Sequence, residues 1–425
     1  MNTLEQVFQA VFKRETLPRL GTALVAERFK NAGITLTAEQ RMAVETRLRA
    51  VKGGDLRLTV DLTDEQLAGS ALRGSGPLQV DLNPDDFVDR LEHHVPEVVH
   101  AAVEETSRLL LAGLKRNARR MLKKRRADRE GFEKRLAKSW GDGFNLLEMF
   151  LQIALEAGSE FNGESRPAAA MAGDFTFDVL TRLHARACLV ASEILALLRA
   201  GHADGAHARW RLLPEIAVVG FFVKAHGNDV AERYMAHDAI ESYRAATLHQ
   251  EHHAALSDEP NTQEELAELH ATVECLKTRF GKGYGTEWGW AAKALGKERP
   301  TFRDIERATG LAHLRPYYKL SSHNVHANPK GVLFKLGLLP EHHVLLAGPS
   351  NLGLADPAHG TAISLAQITV GLLTMRPDVN RVVICNVLMK LEREIGEAFL
   401  AVQKALDELA VREIATPLGS RVLRR

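Results

Sequence analysis

The stretch Asp178–Arg199, which reads DVLTRLHARACLVASEILALLR, decides the fold class of this chain. It consists mainly of leucine, alanine and arginine and contains neither glycine nor proline, so it predicts one uninterrupted helix. Two more helical stretches follow, Gly205–Lys224 and Asp229–Leu256. Pro214 interrupts the first of these, and we expect a kink there or a helix that starts at that point.

The composition of the whole chain also favours helix. Only 6% of the residues are aromatic, while 45% are hydrophobic and 26% are charged. A length of 425 residues is long for a single hydrophobic core. We therefore predict an all-α, multi-helix bundle in three parts: a small helical accessory region at 1–80, a long-helix region at 81–165, and a helical bundle domain at 166–425.

Local signals predict where several elements begin and end. Capping-box spacing at Thr37–Gln40 and Thr63–Gln66, and an Asn83–Pro84 pair, predict three helix starts. Alternation over Asp55–Asp61 predicts a short strand. The segment Gly158–Phe175, rich in small residues, is expected to be a linker.

The last part of the chain is predicted to contain a small β-hairpin followed by two helices. The hairpin would pair Val332–Leu336 with His343–Ala347. The helices would cover Ala358–Met375 and Val379–Val411.

Charge, cysteines and apolar segments exclude several classes of protein. A net charge of +1 gives no global field for recruiting nucleic acid or membrane. The three cysteines, Cys188, Cys275 and Cys385, are too few and too far apart for a disulfide framework or a Cys-rich zinc motif. The N-terminal residues lack a signal-peptide pattern, and the most apolar segment, Ala362–Met375, is too short to span a bilayer. We expect a cytoplasmic protein with no membrane association.

No cofactor or metal is expected. The chain contains no phosphate-binding glycine loop, no dinucleotide fingerprint and no kinase signature. His249, His252 and His253 share one helical face, a spacing that metal ligands can have, but the neighbouring Gln250 and Glu251 are typical of the solvated tail of a helix.

The segment Tyr317–Gly331 is the strongest candidate for a site, because it concentrates tyrosines, serines, histidines and asparagines between apolar helices. Helical spacing could bring Ser322, His323 and His326 into one pocket, where a histidine acts as acid or base near neutral pH. Ser322 has no nucleophile-elbow sequence around it. The alternative is a hydrogen-bonded polar core at a helix end.

Arginines and a carboxylate complete the set of candidate catalytic residues. Arg211 and Glu215 are four positions apart at the start of a strongly apolar run, so we expect a half-buried ion pair. Such a pair either fixes helix register or orients the later histidines. Arg244 stands five positions before His249.

Residues 115–129 carry nine basic residues and a single acid. A thin apolar stripe accompanies them, which predicts an amphipathic helix with a dense positive face. Such a face binds phosphate backbones independently of sequence, and the absence of aromatic residues argues against base stacking. The alternative is a solvated helix balanced by acidic patches elsewhere. The candidate nucleic-acid-binding residues are Lys115, Arg116, Arg119, Arg120, Lys123 and Arg126.

The order of three short motifs resembles a known family. Arg211 with Glu215, then Glu232–Tyr234, then Tyr318 with Ser322 and His326 is similar to an uncharacterised bacterial all-helical family of unknown function, over roughly 175–410. The resemblance implies the fold and no activity.

More remotely, such bundles are similar to HEPN domains, many of which are metal-independent RNases of toxin–antitoxin or anti-phage systems and usually act as dimers. That similarity implies an RNase with His326 as acid or base, Arg244 or Arg211 stabilising the developing charge, and a homodimer. Ala245 replaces the polar residue that usually follows the HEPN arginine, and Ser322–His326 lacks an arginine.

Two functions follow. One is a helical module that binds RNA or a protein partner, with a stress or anti-phage role by analogy. The other is a HEPN-like, metal-independent endoribonuclease. The second requires His326 and a guanidinium to converge on an open cleft, whereas a sealed, hydrogen-bonded cluster favours the first.

Overall fold

The structure is a computed structural model that describes residues 6, 14, 17–50, 56–68, 78–82, 84–338 and 345–415. Its described elements are helical apart from one pair of strands, which confirms the all-α prediction. The chain divides into two compact units, 1–128 and 129–425. No helix among the described residues combines the length and the apolar character needed to cross a membrane.

The first unit is a small helical region with a two-stranded sheet. Its elements are α1 (Leu17–Asn31), α2 (Ala38–Ala50), β1 (Leu56–Val60), α3 (Asp64–Ala68) and β2 (Leu78–Leu82). The strands pair antiparallel, with Leu58 opposite Val80. Both predicted capping boxes are present: the Thr37 hydroxyl accepts from the amide of Gln40, and Thr63 does the same for Gln66. A separate apolar core forms around Val25, Phe29, Ile34, Leu36, Val44, Leu58 and Val60.

A single helix, α4 (Pro84–Ala172), continues from the first unit into the second. It begins at Pro84, as the sequence predicts. The linker expected at Gly158–Phe175 is wrong, because the helix runs through to Ala172. Three small residues of this segment, Gly158, Ser165 and Ala169, form a packing face together with Phe161: all four are buried and recur every three or four positions.

The second unit is a bundle of helices around α5. Its helices are α5 (Phe175–Arg199), α6 (Ala203–Trp210), α7 (Leu212–His226), α8 (Asn228–Ala236), α9 (Asp238–Leu256), α10 (Gln263–Phe280), α11 (Ala292–Leu295), α12 (Phe302–Thr309), α13 (Arg315–Val325), α14 (Pro329–Leu333), α15 (Ala355–Leu373) and α16 (Val379–Ala415). Helix α5 packs against α6, α7, α8 and α15, and α15 packs in turn against α16.

The helix expected over Gly205–Lys224 is interrupted, as Pro214 indicates. The break falls at Arg211, between α6 and α7. Pro214 then occupies the first turn of α7, where a missing amide proton costs no intrahelical hydrogen bond. The break gives the chain an elbow at Arg211.

The β-hairpin predicted after residue 331 is wrong in its first strand. Pro329–Leu333 is a short helix, capped by the Asn328 side chain, which accepts from the amide of Gly331. An N-cap asparagine followed by proline starts a helix more strongly than the apolar residues after it favour a strand. Part of the second strand, at residues 343–344, lies outside the described residues. Among the described residues the strand pair is β1–β2 instead.

Candidate functional site

The elbow at Arg211 and helix α13 bring together three of the polar residues that the sequence singles out. We name Arg211, Glu215 and Tyr318 the Arg–Tyr–Glu cluster. The Arg211 guanidinium donates to the Tyr318 hydroxyl at 2.7 Å and lies 4.9 Å from the centre of its ring. The Tyr318 hydroxyl donates to Oε1 of Glu215 at 2.5 Å, and the Arg211–Glu215 ion pair measures 3.4 Å.

The cluster is half-buried and its groups bond to one another, but Nε of Arg211 is buried without a hydrogen-bond partner among the described residues. Burial, together with the hydrogen bond to Glu215, raises the pKa of Tyr318 to about 12, so the phenol stays a neutral donor. The Arg211 and Glu215 side chains are 28% and 27% exposed. Each charged group has its partner within the cluster, which ties α13 to the α6–α7 elbow. This is the geometry of a network that fixes helix register.

The serines of α13 are occupied within their own helix. The hydroxyl of Ser322 donates to the carbonyl oxygen of Tyr318 at 2.9 Å. Ser321, which is fully buried, donates to the same oxygen at 2.7 Å. A hydroxyl in this arrangement satisfies a backbone acceptor, and no base contacts Ser322 among the described residues.

The two histidines of the segment have different surroundings. Nδ1 of His323 accepts from the side-chain amide of Asn328 at 2.9 Å, which links the end of α13 to the cap of α14. His326 follows α13 and is exposed. In the part of the chain that the structure describes, no side-chain hydrogen bond or ion pair joins His326 to an arginine.

Arg244 lies on α9, and it contacts that helix and the loop that follows α10. Its guanidinium pairs with Glu241 at 2.6 Å and donates to the carbonyl oxygen of Gly285, also at 2.6 Å. None of its described contacts involves Arg211, Ser322 or His326. The candidate catalytic residues are thus divided between the Arg–Tyr–Glu cluster, the exposed end of α13 and a separate contact on α9.

The helix over residues 115–129, which we name the basic segment, is exposed along its length. Every lysine and arginine in it is exposed. Of its nine basic residues, Arg129 pairs with Glu133 at 2.8 Å. The other eight have no ion-pair partner among the described residues. Beside them the apolar side chains of Leu114 and Met121 are 54% and 59% exposed.

A cavity of about 470 Å³ between α6, α13, α15 and α16 was not anticipated from the sequence. We name it the α15–α16 pocket. Its walls include His207, Trp210, Tyr317, Asp356, His359 and Glu392. His359 and Glu392 face each other across the two helices at 2.8 Å. The available signal was the pair Asp356 and His359, one turn apart at the start of a strongly apolar helix.

The described residues contain no group of three or more histidines, cysteines or acids placed to hold a metal ion.

His207, one of the two histidines of the α15–α16 pocket, is buried against an aromatic ring. Burial lowers the pKa of His207 to about 4, and its ring stacks on Trp210 with centres 5.4 Å apart. Nδ1 of His207 accepts from the Asn324 amide at 3.4 Å.

Comparison with known proteins identifies part of the second unit. Residues 177–341 match the model of a family of unknown function (DUF5677). This match covers α5 to α14, including the Arg–Tyr–Glu cluster, and confirms the predicted resemblance to a family without an assigned activity. No curated protein and no solved structure matches the chain significantly.

Proposed function

We propose that the protein binds nucleic acid through the phosphate backbone, using the basic segment. The observation that carries the proposal is the set of eight exposed cations without a carboxylate partner among the described residues. The sequence left open that acidic groups elsewhere balance these cations, but no ion pair among the described residues joins a carboxylate to any of the eight. Unpaired surface cations at this density attract polyanions and release their counterions on binding.

The arrangement of the charges favours nucleic acid over a protein partner. Lys115 to Arg126 cover about 17 Å of helix at 1.5 Å per residue, which matches a run of several phosphates. At 100° per residue, Lys115, Arg119, Lys123 and Arg126 fall on one face. The segment contains no aromatic residue for base stacking. We therefore expect binding without sequence preference.

The apolar side of the same helix supports a homodimer. Leu110, Leu114 and Met121 are all more than a third exposed and fall on the side opposite the basic face. Arg125 falls on this side too, so pairing two copies along the stripe would bury the apolar side chains, extend the Arg125 side chains to solvent at its edge and leave the face of Lys115 and Arg119 outward. Sedimentation of the wild type against Leu114→Gln tests this arrangement, with a loss of dimer expected.

Binding is tested by fluorescence anisotropy with a labelled single-stranded RNA and the corresponding DNA. One variant replaces Lys115, Arg119, Lys123 and Arg126 with glutamine. The control replaces four cations outside the basic segment that already have carboxylate partners: Arg108, Lys134, Arg199 and Arg279. Both variants lose four positive charges, so only the position of the charge differs.

We expect the first variant to bind at least about tenfold more weakly and the control to stay within about twofold of the wild type. If both variants lose the same amount of affinity, the loss comes from the change in net charge and does not depend on the basic segment. No binding by the wild type at low salt would contradict the proposal outright.

The endoribonuclease alternative needs a guanidinium beside His326. Arg211 is held by Tyr318 and Glu215, and Arg244 by Glu241 and Gly285. These contacts favour binding without cleavage, because no described contact places a guanidinium beside His326, as HEPN-like activity would require. A stress or anti-phage role rests on analogy and belongs to the same proposal.

A further inference from the structure

The α15–α16 pocket has the size of a small-molecule site and is built on helices of the bundle. A volume of about 470 Å³ falls within the range of known ligand cavities. Two glycines set its walls: a Cβ on Gly360 would lie 2.9 Å from the Trp210 ring, and one on Gly396 would lie 2.6 Å from His359. These close approaches hold the walls in place, so the cavity exists before any ligand arrives.

Negative charge exceeds positive charge in this pocket. Three carboxylates line it, Asp356, Glu392 and Glu397, against one guanidinium, Arg393. Of the two histidines, His207 is neutral at physiological pH, because burial lowers its pKa to about 4. The Glu392 carboxylate is engaged by His359. A ligand that enters the pocket therefore meets more carboxylates than cationic groups.

Two of these carboxylates, Asp356 and Glu397, lack a partner. Both line the pocket, and neither has a hydrogen bond or ion pair to another residue in the described ranges. Partial burial of its carboxyl group raises the pKa of Asp356, and the nearby His359 opposes this only in part, although the residue as a whole is exposed. A cation bound beside Asp356 would stabilise its charged form.

Aromatic rings complete the recognition surface. Tyr317, which is 54% exposed, supplies the ring that a ligand can reach, whereas Trp210 is 2% exposed and stacked on His207. The remaining walls are largely aliphatic, with Leu314, Ile363 and Leu400. The face of an aromatic ring attracts an organic cation, and the aliphatic walls accept its hydrocarbon part.

We propose that the α15–α16 pocket binds a small organic cation, an amine or quaternary ammonium attached to an apolar body, with its charge at Asp356 and its body against Tyr317 and the aliphatic walls. A bare metal ion does not fit, because no metal-binding group exists among the described residues and the walls are apolar. An organic anion would meet the three carboxylates. The proposal is independent of nucleic-acid binding by the basic segment.

The test compares probes of one size and different charge. Isothermal titration calorimetry of the full chain uses benzylamine, benzyltrimethylammonium, benzyl alcohol and benzoate. The variant Asp356→Asn keeps the shape of the side chain and removes its charge. Glu394→Gln, an exposed carboxylate on α16 that does not line the pocket, is the matched control.

We expect both cations to bind about fivefold tighter than benzyl alcohol, and benzoate to bind weakest. Asp356→Asn should remove that preference without changing the affinity for benzyl alcohol, while Glu394→Gln leaves all four affinities unchanged. If Asp356→Asn lowers the melting temperature, Asp356→Ser replaces it and is compared with Asp356→Glu, which keeps the charge and should keep the preference.

Three results would overturn the proposal. They are equal affinity for amine and alcohol, a preference for benzoate, and an absence of binding by all four probes at millimolar concentration. Equal effects of Asp356→Asn and Glu394→Gln would place any binding elsewhere and overturn it as well.

Discussion

The Tyr318 hydroxyl donates a hydrogen bond to Oε1 of Glu215 at 2.5 Å, across 103 positions of sequence. The hydroxyl oxygen of Tyr318 accepts a hydrogen bond from Arg211, so the phenol bridges a carboxylate and a guanidinium. Helix α13, which carries the densest polar stretch of the chain, is thereby fixed to the start of α7. The stretch that looks most like a catalytic segment contributes at least one of its tyrosines to holding helices together.

Tyr318→Phe is expected to lower the free energy of unfolding of the second unit by about 1–2 kcal/mol. The substitution removes the donor to Glu215 and the acceptor of Arg211 while keeping the ring in place. Urea unfolding followed by circular dichroism, with hydrogen exchange on α13, measures the effect.

Tyr317→Phe is the control for this substitution. The Tyr317 side chain is 54% exposed, and its hydroxyl has no hydrogen bond within the described residues. We expect less than about 0.5 kcal/mol for this change. Equal losses from both substitutions would mean that the bridge contributes nothing beyond the ring.

Mild acid should destabilise the second unit through two buried histidines. Burial lowers the pKa of both His184 and His207 to about 4, against about 6.5 in the unfolded chain. Between these values the unfolded state binds more protons, so stability rises with pH and is lost as pH falls from about 6.5 towards 4. At pH 5 each histidine costs about 2 kcal/mol relative to neutral pH.

The measurement is the urea midpoint at pH 7.5 and pH 5.0 for wild type, His207→Gln and His252→Gln. His207→Gln should show a smaller loss between the two pH values than the wild type. His252, which is exposed on α9, should leave the pH dependence unchanged. A pH dependence identical in all three proteins would contradict the assignment to His207.

Two glycines of α4 should respond to alanine in opposite directions. A Cβ on Gly158 would collide with the ring of His184, which is buried and bonded through Nε2 to the Thr369 hydroxyl at 3.1 Å. Gly158→Ala should therefore destabilise by about 1–3 kcal/mol. Gly163, one and a half turns on, has nothing within 4 Å of that position, so Gly163→Ala should stabilise by up to about 1 kcal/mol.

Melting temperatures of the two alanine variants decide this prediction. Because both substitutions gain the same helix propensity, the difference between them reports the contact with His184 alone. Similar melting temperatures would mean that α4 and α5 can separate enough to admit a methyl group at Gly158.

The helices could be predicted from sequence because their signals are local. Capping boxes at Thr37 and Thr63 and the proline at position 84 each act within one turn, and the structure keeps all three starts. The linker predicted at Gly158–Phe175 is wrong for a physical reason. Small residues there serve close packing of α4 against α5, which a single sequence does not distinguish from the small residues of a linker.

The candidate site was predictable in part. The pairing of Arg211 with Glu215 follows from their spacing of one helical turn. The position of Tyr318 between them depends on a contact 103 residues apart, for which sequence carries no spacing rule. The α15–α16 pocket was missed for the same reason, since His359 and Glu392 lie on separate helices and meet only in the folded chain.

Binding of RNA by the basic segment should depend steeply on salt. The logarithm of the association constant should fall linearly with the logarithm of salt concentration, at about 0.7 per phosphate for single strands. Replacing Lys115, Arg119, Lys123 and Arg126 with glutamine should reduce the magnitude of this slope by about 3. Anisotropy titrations from 50 to about 300 mM salt measure it. A slope that the variant leaves unchanged would place the phosphate contacts on other residues.

RNA bound by the wild type should remain intact without metal. Cleavage would need a guanidinium beside His326 to stabilise the charge that develops on the phosphate, and the described contacts commit Arg211 to Tyr318 and Arg244 to Glu241. Labelled total RNA and single-stranded DNA are incubated with wild type and His326→Ala in a chelator, then resolved on a gel. Cleavage by the wild type that His326→Ala abolishes would reverse the preference for a binding module and make His326 the acid or base of an RNase. Cleavage that survives in the variant would mean a contaminating nuclease or a different active site, which Arg244→Gln and Arg211→Gln would separate.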